Sequence, residues 1–412
     1  MRTKLVWALL FVLSPLYAQA APMPAPPENT AAGQLEEDPY TRYELLDPRS
    51  GKFRILYEVT AHEPGATSYF NPIRKGSIAS DERMTDRATG KPLKFRVISG
   101  KKAKADRQAD ADPEGDYLQV TLARPVPASG GEGRILIDKT YEDRKSYHQD
   151  GDMIVFDRWL GIDRNAVILP SGYRLVSCNV PAQVLQQADG RTMVSFWNTS
   201  PAQAPLLLKA RPATVAGDCQ TTVPEKRLQE RASQTREIVY LLQQPDTHRF
   251  ELYHDYTEEQ PGVSTYVNVV RTGSKVSNPS GRNLDTGAVL ASRTVRGVEV
   301  AKLSPDAKDA TATSEAVVFS FPAVPVGGSA RLRLTETYTD PGSYKLVGDE
   351  LVWERSLGRA ANAVVLPPGW ILTNSSAPVI TSELADGRTR LDYLNPRTDE
   401  LNVLITARSK KR

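Results

Sequence analysis

Asp157-Arg158-Trp159-Leu160-Gly161 leads into Arg164-Asn165-Ala166-Val167-Ile168-Leu169-Pro170-Ser171-Gly172-Tyr173, then Pro181, Asp189-Gly190-Arg191 and Asn198. The chain writes this stretch again as Glu354-Arg355-Ser356-Leu357-Gly358 and Ala361-Asn362-Ala363-Val364-Val365-Leu366-Pro367-Pro368-Gly369-Trp370, followed by Pro378, Asp386-Gly387-Arg388 and Asn395. Leu366 lies 197 positions after Leu169, Asn395 197 after Asn198, and Asn268 197 after Asn71, so the register holds without a gap.

Outward from this stretch the pattern is that of short strands and turns. Phe53 to Thr60, Tyr117 to Leu122, Arg134 to Tyr141, Met153 to Phe156, Ala166 to Leu169, Arg174 to Cys178, Met193 to Trp197 and Pro205 to Ala210 are rich in β-branched and aromatic residues. Pro64-Gly65 and Pro261-Gly262 punctuate equivalent places, and Asp189-Gly190 predicts a two-residue type I′ hairpin. Gly131 and Gly328, each beside a second glycine, read as turn punctuation. About eight strands per copy predict an all-β chain: two tandem, homologous, antiparallel β-sandwich domains of Ig-like or Greek-key type joined by a short linker. The charged segment Glu225 to Ile238 suits a linker helix or an extended lead-in strand, and the polar run Gly100 to Gly115 an exposed excursion.

The expected divisions are a signal peptide over 1–20, a disordered Pro/Ala-rich leader over 21–36, domain 1 over 37–211, a linker over 212–233, domain 2 over 234–408 and a basic tail over 409–412. Arg2 and Lys4, the apolar run Leu5 to Leu16 and Ala18-Gln19-Ala20 make the export signal, with cleavage after Ala20. That apolar run is too short to span a bilayer, so a periplasmic or secreted protein without a membrane span is expected. In an oxidising compartment Cys178 and Cys219 are expected to pair.

The 412 residues carry a formal charge of +3, which falls to +1 once Arg2 and Lys4 are removed, and this gives no electrostatic case for nucleic acid. Apolar content of 40% and charged content of 25% suffice for a core in each half. His62, His148, His248 and His254 form no HExxH pair and have no histidine at the matching position of the other copy, so they read as isolated structural or surface residues. No metal site, cofactor site, nucleophile elbow or phosphate loop is legible.

The carboxylates present in both copies are Asp143/Asp340, Asp152/Asp349 and Asp157/Glu354. The ligand-binding candidates are polar residues that recur without a turn to explain them: Asn71, Arg74, Arg158 and Asn165 in the first copy, Asn268, Arg271, Arg355 and Asn362 in the second. Their planar guanidinium forks and amides suit a carboxylate or a sugar, whereas the plainer reading pairs each Arg with a nearby acid and each Asn with backbone. Trp159, Tyr147 and Tyr173 would make a stacking platform if they shared one surface. The leading expectation is an exported, non-catalytic interaction or scaffold module for a protein or an envelope polysaccharide. The alternatives are a secreted glycan-acting hydrolase using an Asp/Glu pair, and a carbohydrate-binding domain pair.

Overall fold

A computed structural model describes residues 40–106, 108, 110–199, 202–213, 228–303 and 310–410. The expected signal peptide and leader, and most of the expected linker, lie outside the described residues. Strands β1 to β14 are Tyr40–Leu45, Lys52–Ala61, Ser68–Ile73, Ile78–Asp86, Phe95–Ser99, Asp116–Thr121, Gly133–Glu142, Tyr147–Asp150, Met153–Leu160, Arg164–Ile168, Tyr173–Cys178, Gln183–Gln186, Thr192–Trp197 and Ala204–Pro212. Strands β15 to β28 are Arg236–Leu242, Arg249–Glu258, Thr265–Val269, Lys275–Asn283, Ala291–Arg296, Glu315–Ser320, Ala330–Thr339, Tyr344–Val347, Glu350–Leu357, Ala361–Val365, Trp370–Ser375, Ile380–Glu383, Thr389–Leu394 and Leu401–Ser409.

Each half builds one seven-stranded sheet, in the order β12-β13-β10-β1-β2-β7-β4 and β26-β27-β24-β15-β16-β21-β18. Two smaller sheets accompany it: β3-β6-β5 with β11-β14-β9-β8, and β17-β20-β19 with β22-β23-β28-β25. Adding fourteen to each strand number of the first half reproduces the second, so two similar sandwich bodies follow one another. Alternation explains the layers. In β2 the burial runs intermediate and buried by turns through Lys52, Phe53, Arg54, Ile55, Glu58 and Val59, as a sheet with one covered face requires.

Several expectations change. The described strands number fourteen per body, because short edge strands such as β8 and β12 carry too few apolar residues to stand out in the sequence. One pair in each large sheet is parallel, β1 with β10 and β15 with β24, which places the first strand of each body beside the repeated Arg/Asn-Ala-Val stretch. The Asp189-Gly190 turn is a five-residue connection between Gln186 and Thr192. Only Gly190 takes a positive φ (83°), while Asp189 accepts from the Arg191 backbone N–H, so no type I′ turn forms. Of the segment Glu225 to Ile238, Arg236 onward is strand β15, and no described part of it is helical. A short helix α1 (Gly100–Ala105), capped by the Ser99 hydroxyl, occupies the start of the polar run. The expected Cys178–Cys219 bridge is not among the bonds: Cys178 is a free thiol that donates to Val180 O at 3.5 Å, and Cys219 lies outside the described residues.

The interiors of the two bodies differ. In the first, Tyr57, Tyr69, Ile137, Phe156 and Leu208 belong to one continuous core beneath both small sheets. In the second, the core is divided. Trp353, Tyr344, Tyr240 and Phe250 pack under the four-stranded sheet, and Phe319, Val317 and Leu332 under the three-stranded one.

The bodies meet through equivalent positions. Arg134 and Arg331 are 197 apart and both lie at the junction. Arg134 forks onto Asp285 (Nε–Oδ1 2.7 Å, Nη2–Oδ2 2.9 Å) and donates to Ser329 Oγ at 3.0 Å, while Arg331 Nε lies 3.6 Å from Glu132 Oε2. Gly131 and Gly328 are more than turn punctuation here. A Cβ on Gly131 would sit 2.6 Å from Leu284 O, and one on Gly328 2.5 Å from Ala88 O, so each glycine admits the backbone of the other body.

Candidate functional site

Beneath the repeated stretch, each body holds a buried polar triad. Asp143 Oδ2 accepts from Arg158 Nη1 (3.0 Å), Ser77 Oγ (3.2 Å) and Ser146 Oγ (2.8 Å). Asp340 Oδ2 accepts from Arg355 Nη1 (3.2 Å) and Ser274 Oγ (2.9 Å). The guanidinium of Arg158 lies over Phe53 and Tyr141, and that of Arg355 over Phe250, Tyr240 and Tyr338, at 5.2 to 5.8 Å. Burial pushes both carboxyls up, but the serine hydrogen bonds and the arginine outweigh it and hold them below the ordinary aspartate range. Arg158, Arg355, Asp143 and Asp340 are therefore committed to one another, as the plainer sequence reading has it. The two asparagines of the stretch also bond locally, Asn165 Nδ2 to Ile162 O (2.7 Å) and Asn362 Nδ2 to Arg359 O (2.9 Å).

Above the triad the bodies diverge. In the second, Asn268, Arg271, Arg355 and Asn362 all line one concavity of about 350 Å³, between the two small sheets and over the middle of the large one. Its floor comes from β16 and β21, where side chains two apart share a face: Leu252 and His254, then Leu334, Glu336 and Tyr338. Glu336 is 1% exposed. Its Oε2 accepts from Asn268 Nδ2, which also donates to Tyr338 Oη at 3.2 Å, and its Oε1 accepts no hydrogen bond among the described residues. Burial, against smaller opposing effects of Tyr338 and Asn268, raises the Glu336 carboxyl to about 7. His254 Nδ1 is 3.1 Å from Tyr266 Oη.

In the first body the equivalent floor position is Lys139. Its buried ammonium donates to Asn71 Oδ1 at 2.6 Å and lies 4.8 Å from the centre of the Tyr141 ring. Arg74 Nη1 reaches Trp159 O at 3.5 Å. Burial raises the Tyr141 phenol, yet Lys139, Arg74 and Arg158 together bring it below its ordinary value. Tyr338 is moved the other way, by burial first and then by Glu336. One fold thus encloses opposite electrostatics at one register position.

The sequence reading missed Glu336, and it took His254, which lines the same cavity, for an isolated structural or surface residue. The search was for groups shared by both copies, and these two occur in one, opposite Lys139 and Tyr57. The stacking platform does not form, since Tyr147 is fully buried with its hydroxyl on Leu46 O at 2.8 Å. Asp157, Glu354, Asp152 and Asp349 are exposed, and none of them lines the cavity. A smaller concavity of about 30 Å³ at the junction of the bodies, beside Glu132, Arg134 and Arg331, is the size of one water. Among the described residues no group of three or more His, Cys, Asp or Glu could hold a metal ion, and no helix is long and apolar enough to cross a membrane.

No family model matches the chain, and no curated protein does. Among solved structures, an aminopeptidase N family protein from Idiomarina loihiensis is similar over 42% of this chain and 29% of its own, at 11% identity and a TM-score of 0.26. The collagen adhesin of S. aureus is similar over 79% of this chain and 86% of its own, at 6% identity and a TM-score of 0.17. Likeness this remote carries no argument about activity.

Proposed function

We propose that the protein is an exported, non-catalytic binding protein, with the first body as scaffold and the second as the ligand-carrying domain. The observation that carries this reading is the convergence of Asn268, Arg271, Arg355 and Asn362 on one cavity whose floor is a buried, hydrogen-bond-deficient carboxyl. Arg355 shapes the wall, because its charge is spent on Asp340, and Arg271 lies at the exposed mouth, where it can meet a ligand. The expected glycan hydrolase would need two carboxyls facing across a cleft. Its second-body candidates Asp340, Asp349 and Glu354 are absent from the cavity lining, whose carboxyls are instead Glu336 and Glu400.

The test uses the mature chain and soluble fragments of digested cell envelope, with binding read by thermal shift and intrinsic fluorescence. Arg271→Glu reverses an exposed charge without touching the core, and it should weaken binding at least about tenfold. Equal binding by wild type and variant would place the interaction elsewhere on the molecule and end this reading.

A further inference from the structure

We infer that the cavity of the second body receives the free ammonium group of an amino acid or short peptide, with Glu336 and Asn362 as acceptors and Arg271 and Arg359 placed for the ligand's carboxylate. The inference rests on the binding role proposed above and names its ligand class.

Two buried acceptor atoms on residues lining the cavity, on Glu336 and Asn362, accept no hydrogen bond among the described residues. Glu336 spends one oxygen on Asn268, and the other accepts nothing among the described residues. Asn362 donates one amide hydrogen to Arg359 O, and its Oδ1 accepts nothing among the described residues. An ammonium offers three donors to such a pair, and a carboxylate or phosphate offers none. A neutral hydroxyl could donate but would leave a buried carboxylate uncompensated, which is costly.

Among the described residues no cation forms an ion pair with Glu336. The groups that act on Glu336, besides burial, are Tyr338 and Asn268, and no arginine is among them. Glu132 at the junction is the contrast: it is equally buried, but Arg331 and Arg134 oppose its charge. The first body provides its own ammonium at this register position, as Lys139 on Asn71 Oδ1. The second body has a carboxyl and a cavity where the first has that lysine. A volume of about 350 Å³ suits a small polar molecule.

The chemistry sets a pH dependence. Glu336 is faced by Tyr240, His254 and Tyr266 from neighbouring strands, and by Arg355 from β23. Arg271, Arg359 and Glu400 stand further out, on the loops. Because the carboxyl must be ionised to hold an ammonium, affinity should rise about tenfold between pH 5.5 and 7.5.

Saturation-transfer difference NMR on the mature protein tests this with L-alanyl-L-alanine, its N-acetyl form, its C-terminal amide and a neutral oligosaccharide. The expected result is signal from the free dipeptide, none from the N-acetyl form, weaker signal from the amide, and at least tenfold loss in Glu336→Gln. Circular dichroism and thermal melting establish that the variant is folded. Arg271→Glu, an exposed change, gives a second reading by abolishing the difference between dipeptide and amide. Equal binding of the acetylated dipeptide, or an unaffected Glu336→Gln, overturns the inference. Binding of the oligosaccharide with neither dipeptide also overturns it and leaves the cavity as the binding site. Failure of every probe, together with envelope binding insensitive to Arg271→Glu, removes both readings.

Discussion

The two bodies share strand order, register and the Asp–Arg–Ser triad, yet one has a continuous core and the other a divided one. The division falls where Lys139 becomes Glu336 and Tyr57 becomes His254. Tyr57 contributes an aromatic ring to the continuous interior of the first body. Its counterpart His254, with Glu336, borders a cavity instead. The scaffold therefore tolerates a charge reversal on its buried floor, because the triad beneath it is satisfied independently in each body. What the copies share maintains the sandwich and supplies four polar residues of the cavity wall, and what differs between them is the cavity floor.

The comparison can be broken first at the triad. Arg158→Ala and Arg355→Ala each strand a buried aspartate, and each should cost about 3–5 kcal/mol in chemical denaturation. If the loss were large in one body and negligible in the other, the shared-scaffold account would fail. The next largest effect sharpens the difference between the floors. Glu336 titrates near 7 in the folded protein against an ordinary 4.5. Between those values the folded state keeps a proton that the unfolded chain has lost. Its contribution is therefore fully present below pH 4.5 and disappears as pH rises through 7, a swing of about 3 kcal/mol. Glu336→Gln should accordingly stabilise the protein at pH 8 and not at pH 4. Glu132, also raised to about 7 by burial against the pull of Arg331 and Arg134, leaves part of the slope in the variant. Melting curves at the two pH values measure it, and an equal shift at both would refute the buried-acid assignment.

At the junction, Gly131→Ala and Gly328→Ala should each cost about 1–3 kcal/mol, since backbone of the other body must move. Comparable losses would support a junction built on matching positions, whereas a neutral result at either glycine would show one-sided contact. The smallest effect is expected at Asp157→Ala and Glu354→Ala, exposed in both bodies. Stability should stay within about 0.5 kcal/mol of wild type, and a larger loss in either would reveal a role that exposure does not suggest.

Much of the scaffold was legible in the chain. The repeat in fixed register, the alternation along β2, and the glycines and prolines at strand ends imply two sandwiches, because side-chain period and turn chemistry are local properties. Arg158 and Arg355 were legible as partners of nearby acids for the same reason. The site was less so. Asn268 and Arg271 were named from their recurrence, but Glu336 was hidden by a search for shared residues. Its neighbours on the cavity wall lie some 70 positions away on β17 and some 80 away on β16. The parallel pairing of β1 with β10 was also invisible, since strand direction across a sheet depends on a distant partner.

The sequence alone determined that an all-strand unit occurs twice, in one register and with the same turns, because periodicity and backbone preference act over a few residues. Tertiary structure alone decided that Arg134 and Arg331 each reach a carboxylate of the other body, that the second core is interrupted, and that Glu336 lies buried with one oxygen lacking a donor among the described residues. The physical reason is that burial and hydrogen-bond satisfaction are set by whatever the fold brings close, and in a sheet those neighbours come from remote parts of the chain.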